Sequence, residues 1–289
     1  MQQRPFKQVD VFTAVPYRGN PLAVVLDGSG LSTEEMQRFT DWTNLSECTF
    51  LLAPTHPDAD YRVRIFCPGR ELPFAGHPTL GSCHSWLQAG GVPKAGAGTI
   101  VQECGVGLVA LRQDGERLSF AAPPLRRSGP LLADDVALLA RGLRIARDDI
   151  VQHAWCDNGP PWRGLLLRSA DQVLALKPDA ALLAGLEVGV IGPYATAEVR
   201  GAPAPGHGCA FEVRAFFPGN NGLAEDPVTG SLNAALAQWL IGAGLAPEHY
   251  IASQGTAMGR AGRVHVAREG ETIWVGGGSV TCIDGTVLL

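Results

Sequence analysis

The apolar positions of this chain fall mostly in short runs with the two-residue period of strands, interrupted by a few stretches with helical spacing. Residues 8–13 and 22–26 read as strands joined by a turn at Gly19-Asn20-Pro21. Ser32 has the character of a helix N-cap, because Glu34 and Glu35 fall in the turn that follows and Met36, Phe39 and Trp42 line one face. That helix is expected to end near Asn44. Residues 49–53 and 61–66 read as strands, the second alternating in period two. After Pro78, the positions of Leu80, Cys83, His84 and Leu87 predict a helix closed by Gly90-Gly91. Three strands should follow to about Ala121, where Pro123-Pro124 marks a boundary.

The remainder repeats this outline. A helix is expected over 131–141, strands near 151–156 and 164–168, and short helices near 170–174 and 180–186. Strands at 188–194 and 209–217 flank a Pro- and Gly-rich loop, Gly201-Ala202-Pro203-Ala204-Pro205-Gly206. Residues 229–241 form the clearest helix of this half, and strands near 251, 263–267, 272–275 and 280–288 end the chain. The repetition is also literal. Arg64-Ile65-Phe66-Cys67-Pro68-Gly69 returns 150 residues later as Arg214-Ala215-Phe216-Phe217-Pro218-Gly219. His77-Pro78-Thr79-Leu80-Gly81-Ser82 is answered 149 residues later by Asp226-Pro227-Val228-Thr229-Gly230-Ser231. Many strands with one strong helix per repeat predict an α+β fold of two similar lobes, each wrapping strands around a helix.

Composition narrows the possibilities. The 289 residues suit about two domains, at roughly 100–200 residues each. Apolar residues make up 46% and charged residues 18%, so each half can bury a core and disorder is disfavoured. A net charge of −5 with scattered Lys and Arg gives no footprint for nucleic acid. No run of roughly 18 apolar residues is present, so no membrane partner is expected. Seven Cys, an odd number in a long chain, fit reduced thiols in a cytoplasmic protein.

The chemistry gathers at the duplicated X-Pro steps. Proline suits a first helical turn, which would place His77 and Asp226 at N-caps. The first-turn N–H groups and the positive end of the helix dipole favour an anion, such as a substrate carboxylate. Asp is also a good cap, so local capping and ligand binding both fit Asp226. His is a poor cap, and a solvated surface residue is the alternative for His77. Glu47 stands between a helix end and the apolar Phe50-Leu51. Tucked there, its carboxylate would have the raised pKa of a general acid/base; left in an exposed turn, it would not. The hydroxyls of Thr229 and Ser231 could serve a ligand or local backbone. His77, Cys83 and His84 lack zinc-site spacing, and Gly105-Val106-Gly107 and Gly276-Gly277-Gly278 lack the order of a dinucleotide-binding loop.

Four strings, in order, resemble one family. They are Val9-Asp10-Val11-Phe12 with Gly19-Asn20-Pro21; Asn44-Leu45-Ser46-Glu47; Glu71-Leu72-Pro73-Phe74-Ala75-Gly76-His77-Pro78-Thr79; and Glu225-Asp226-Pro227-Val228-Thr229-Gly230-Ser231. The chain is similar from end to end to the PhzF-like (phenazine-biosynthesis) isomerases. The resemblance implies a diaminopimelate-epimerase-like fold: two pseudo-symmetric lobes, each a barrel-like sheet around a central helix, with the site in the cleft between them. The lobes would be residues 1–121 with about 279–289, and residues 122–278.

The resemblance also implies a proton and double-bond shift on a small, cyclic or unsaturated carboxylic acid. Glu47 would shuttle the proton. His77 and Asp226 would be the other catalytic groups, and Gly76, Pro78, Thr229, Gly230 and Ser231 would lie against the substrate. It implies no metal, no organic cofactor and a homodimer. Two departures stand out. The phenazine enzyme has Ala-Ala after the Asp and a Gly-containing run after the Ser, and the family has Thr where this chain has Cys67. Racemases of the same fold use paired cysteines, and neither X-Pro motif contains one. A two-base Glu/Asp racemase or epimerase, and a non-catalytic binder of small acids, are the other readings.

Overall fold

The computed structural model describes residues 1–96, 98–195, 208–219 and 222–289. The loop expected at 201–206 lies outside the described residues. Strands and helices mix as α+β, and the chain divides into two compact units, Met1–Ala121 with Gly276–Leu289, and Ala122–Val275.

The first unit runs β1 Gln3–Val11, β2 Asn20–Val25, α1 Thr33–Thr43, β3 Cys48–Leu52, β4 Tyr61–Cys67, β5 Arg70–Leu72, α2 Gly76–Gln88, β6 Thr99–Cys104, β7 Gly107–Asp114 and β8 Arg117–Ala121. β1 is antiparallel to β2 and to the C-terminal strand Ser279–Leu288. β2 runs parallel to β3, β3 antiparallel to β4, and β4 pairs antiparallel with β5 and parallel with β6. β6, β7 and β8 form a meander.

Side-chain alternation gives this sheet two working faces. Cys48 and Phe50 of β3 pack with Met36 and Phe39 of α1, whereas Thr49 between them accepts a hydrogen bond from Ser82 of α2. α2 is the buried rod of the unit. It lies so close to the strands that a Cβ on Gly81 would come within 2.6 Å of Leu22 Cδ2 and 2.9 Å of Val11 Cγ2. Only glycine permits that approach.

The second unit runs α3 Ala133–Leu143, β9 Ile150–Asp157, β10 Pro161–Leu167, α4 Ala170–Ala175, β11 Val188–Pro193, β12 Phe211–Gly219, β13 Gly222–Asp226, α5 Gly230–Gly242, β14 His249–Gln254, β15 Gly262–Glu269 and β16 Thr272–Gly277. Its pairings repeat the first unit strand for strand. β9 is antiparallel to β10, β10 parallel to β11, β11 antiparallel to β12, β12 antiparallel to β13 and parallel to β14, and β14 antiparallel to β15. α5 takes the place of α2, buried with Leu232, Ala234, Ala235 and Leu236, and it is apolar on nearly all sides, as a fully enclosed helix must be. Among the described residues no helix is long and apolar enough to cross a membrane.

The N-cap at Ser32 is as expected: its hydroxyl accepts from Glu35 N, and the Glu35 carboxylate reaches back to Ser32 N. Three expectations need correction. The helix expected over 180–186 is instead a run of turns over 180–185. Asn20 and Pro21 belong to β2, so the link from β1 is residues 12–19. The short strands β5 and β13 were not foreseen. Each makes a tight hairpin with the repeated Arg-x-Phe strand before it, too brief to show a period of its own.

Candidate active site

In the first unit, Asn44 ends α1 in the left-handed conformation (φ 56°), and the chain turns back through Leu45 and Ser46. Glu47 is therefore delivered to the mouth of β3, one residue before the pairing of Cys48 with Ala23 begins. α2 starts with Ala75 as its N-cap. His77 is the second helical residue and Pro78 the third, so the expected N-cap position of His77 is corrected by two residues. Ala75 has no side-chain oxygen, and no side-chain cap takes the first-turn amides. A helix start of this kind can receive an anion.

The two candidates meet. His77 Nε2 lies 3.4 Å from Glu47 Oε2, with side chains only 5% and 17% exposed. That is longer than the roughly 2.7–2.9 Å of a charge-assisted hydrogen bond, and it leaves Glu47 less tightly held than in a full ion pair. Burial pushes the His77 pKa down to about 3, because the imidazolium would lose its hydration. The ring is thus neutral near pH 7. On its other side, Nδ1 is 3.3 Å from the side-chain amide nitrogen of Asn20, which is itself fully buried. Gly76 and Pro78 are buried beside His77 in the first turn.

The surroundings fix these groups. Phe12 adopts φ 64°, a costly conformation of roughly 1–3 kcal/mol for a bulky residue, just where β1 ends. Gly19 N donates to Asp10 Oδ2 at 2.8 Å, which closes the 12–19 link and starts β2 at Asn20. Below His77, the helix satisfies its polar groups from the strands. Gln102 Nε2 donates to Thr79 Oγ1, and Tyr61 OH donates to Gln102 Oε1.

In the second unit, Asp226 ends β13, and the N-cap of α5 is Thr229. The expected N-cap role of Asp226 is therefore corrected: it stands three residues ahead of the cap, and its Oδ2 accepts from the Thr229 hydroxyl at 2.6 Å. Gln254 of β14 holds the helix start together. Its Oε1 accepts from Thr229 N and Asn233 Nδ2, and its Nε2 donates to Thr229 Oγ1 and the Asp226 carbonyl. The Thr229 hydroxyl thus both donates and accepts within the protein, which is the structural role weighed against ligand binding. Ser231 Oγ accepts from Trp162 Nε1 at 3.2 Å, and its carbonyl accepts from Asn158 Nδ2. Gly230 is buried as the first residue of α5.

Asn20, Gln254 and Trp162 were not singled out for their side chains, although Asn20 stands in one of the quoted strings. Asn20 and Trp162 act on residues 57 and 69 positions away, and Gln254 on residues 21 to 28 positions away across a strand crossover, so spacing gives no signal. Among the described residues no group of three or more His, Cys, Asp or Glu is arranged to hold a metal. Cys67, at the end of β4, donates its thiol to the Arg70 carbonyl in the hairpin turn.

Known proteins share the sequence and the fold of this chain. The family model described as "Phenazine biosynthesis-like protein" matches residues 9–285. The chain is 35% identical to the Schizosaccharomyces pombe protein named antisense-enhancing sequence 1, over 99% of each chain. It is 32% identical to a trans-2,3-dihydro-3-hydroxyanthranilate isomerase of Pseudomonas fluorescens, over 97% of this chain and 98% of that one. Among solved structures, a PhzF-family protein of Enterococcus faecalis superposes over the full length of both chains with a TM-score of 0.79 at 24% identity, a likeness of fold.

Proposed function

This chain belongs to the phenazine biosynthesis-like family and is an isomerase; from that premise we propose that it moves a proton, with the accompanying double-bond shift, on a small cyclic or unsaturated carboxylic acid. The observation that carries the reading is the Glu47–His77 contact at the start of α2. Glu47 takes a proton from a carbon made acidic by neighbouring unsaturation and returns it elsewhere on the same molecule. His77, neutral because it is buried, offers a hydrogen-bond donor without cancelling the charge of the base. The uncapped first turn of α2, at Gly76 and His77, suits the substrate carboxylate or the negative charge that grows as the proton leaves. In the second unit, Asp226 and Ser231 are the candidates for substrate contact, while Thr229 and Gly230 shape the helix start that presents them.

The test is isotopic. The protein is incubated in D₂O with trans-2,3-dihydro-3-hydroxyanthranilate, the substrate in the relative's name, and with a panel of small unsaturated carboxylic acids. Deuterium uptake is read by mass spectrometry. Wild-type protein is expected to label at least one acid and the Glu47→Gln variant to label none at a comparable rate. An acid that binds but never takes up deuterium would favour a binding protein instead.

A further inference from the structure

His77 can present either a proton or a lone pair to Glu47, and its neutral ring has only one proton to place. The group on its far side decides which. We propose that Asn20 is a positioning residue: its amide NH₂ donates to His77 Nδ1, so the ring proton resides on Nε2 and faces the Glu47 carboxylate. The inference rests on the reading of Glu47 and His77 as the proton-moving pair and extends it to a residue outside both.

Three observations converge. The atom 3.3 Å from Nδ1 is the amide nitrogen, which can only donate, so Nδ1 must be the acceptor. The atom 3.4 Å from Nε2 is a carboxylate oxygen, and a lone pair on Nε2 would face the lone pairs of that oxygen. Reversing the amide would put the ring proton on Nδ1 and create that repulsion, unless Glu47 itself carried a proton. Finally, Asn20 is pinned rather than adaptable. It is fully buried, paired to Val11 at the first rung of β2, and preceded by Gly19, whose N–H is held by Asp10. A Cβ on Gly19 would stand 2.2 Å from the Val11 carbonyl oxygen, so the chain enters Asn20 by one tight path. Neutrality of the buried imidazole makes the tautomer matter, since an imidazolium would carry both protons.

The consequence is chemical. With the proton on Nε2, Glu47 is kept as an acceptor aimed at His77, ready to take a proton from carbon. With the proton on Nδ1, Glu47 could sit against His77 only as a carboxylic acid, and the pair could not begin by removing a proton.

The experiment reads the tautomer without any substrate. Protein labelled with ¹⁵N-histidine is examined by long-range ¹H–¹⁵N correlation, with the His77→Gln variant identifying the His77 signals. The expected wild-type pattern is a protonated Nε2 and a bare Nδ1. Asn20→Asp, nearly isosteric, should reverse the pattern or protonate both nitrogens, because the new carboxylate accepts from Nδ1. Asn20→Ala should give a mixture. A wild-type His77 protonated on Nδ1, or a pattern unmoved by Asn20→Asp, overturns the proposal. On any acid that labels, Asn20→Ala should lower kcat about tenfold or more with KM nearly unchanged, within the range of general acid–base contributions. Loss in KM alone would mean a structural or substrate-binding residue. The proton-transfer reading fails separately, if no acid takes up deuterium while the tautomer is as described.

Discussion

The two units each hold a glutamate at the same topological point and surround it differently. Glu47 precedes β3, whose first residue, Cys48, lies opposite Ala23 in the parallel pair and Phe66 in the antiparallel one. Glu187 precedes β11, whose first residue, Val188, lies opposite Arg163 and Phe216 in the same two relations. The two carboxylates are almost equally shielded, at 17% and 21% exposure. What differs is the neighbour. The first unit has Ala at the register position where the second has Arg163, whose guanidinium lies 4.0 Å from Glu187 and against the Trp155 ring. Glu47 instead faces a neutral imidazole. A permanent cation stands near one carboxylate, and a neutral ring near the other. If Glu47 is the proton-moving group proposed above, the charge state of its neighbour rather than burial separates it from its twin.

A second pair of twins differs in depth. Arg64 donates twice to Glu71 and Arg214 twice to Glu225, each across its hairpin and each over the Phe two residues on. Arg214 is only 7% exposed and also donates to the Val173 and Leu176 carbonyls, which secures the end of α4. Arg64 is more open, at 19%, and reaches the Thr33 hydroxyl.

These contrasts can be broken in order of size. Glu47→Gln is expected to lower turnover by about 10²–10⁴-fold while Glu187→Gln leaves it within the same order, measured by deuterium uptake on any labelled acid. Equal losses would mean that the partner is not what separates the twins. Arg214→Ala should cost about 3–5 kcal/mol in urea unfolding, because it strands a buried carboxylate and two helix-end carbonyls. Arg64→Ala should cost no more than about 1 kcal/mol by the same measurement.

Between these lies a pH effect of His77, whose place as second residue of the helix is taken by Ser231 in α5. Folded His77 resists protonation down to about pH 3, whereas an unfolded histidine titrates near 6.5. The unfolded chain therefore binds the extra proton first. The His77 contribution is complete above pH 6.5 and is lost as pH falls towards 3, at up to about 1.4 kcal/mol per pH unit. Unfolding at pH 7 and pH 5 should show a drop about 2 kcal/mol larger in wild type than in His77→Gln. Parallel curves would show that His77 is protonated in the fold.

Local signals carried much of the fold. Ser32 and Glu35 cap α1 through atoms three residues apart, and the apolar stripe of α1 is set by its own period, so both are readable one segment at a time. Glu47 and His77 were legible as candidates from residue type and context, but their roles came only from the resemblance of the quoted strings to a family. The exact helix starts were not, because Gly76 and Gly230, weak helix formers on intrinsic grounds, are recruited by packing. Residues 180–186 show the reverse, a helical pattern that settles into turns with Leu183 driven into the core.

By itself, then, the chain's order of residues determined the duplicated α+β plan, the elements with strong periodicity, and the chemically able side chains. Only the tertiary structure decided which of them meet. Asn20 and His77 are 57 residues apart, and Glu187 stands 4.0 Å from an arginine that is its neighbour across a parallel ladder. Parallel pairing joins residues separated by a whole crossover, so no repeat or spacing in the chain records the contact. The protonation of a side chain follows from that company and from its loss of water, and both exist only once the fold has closed.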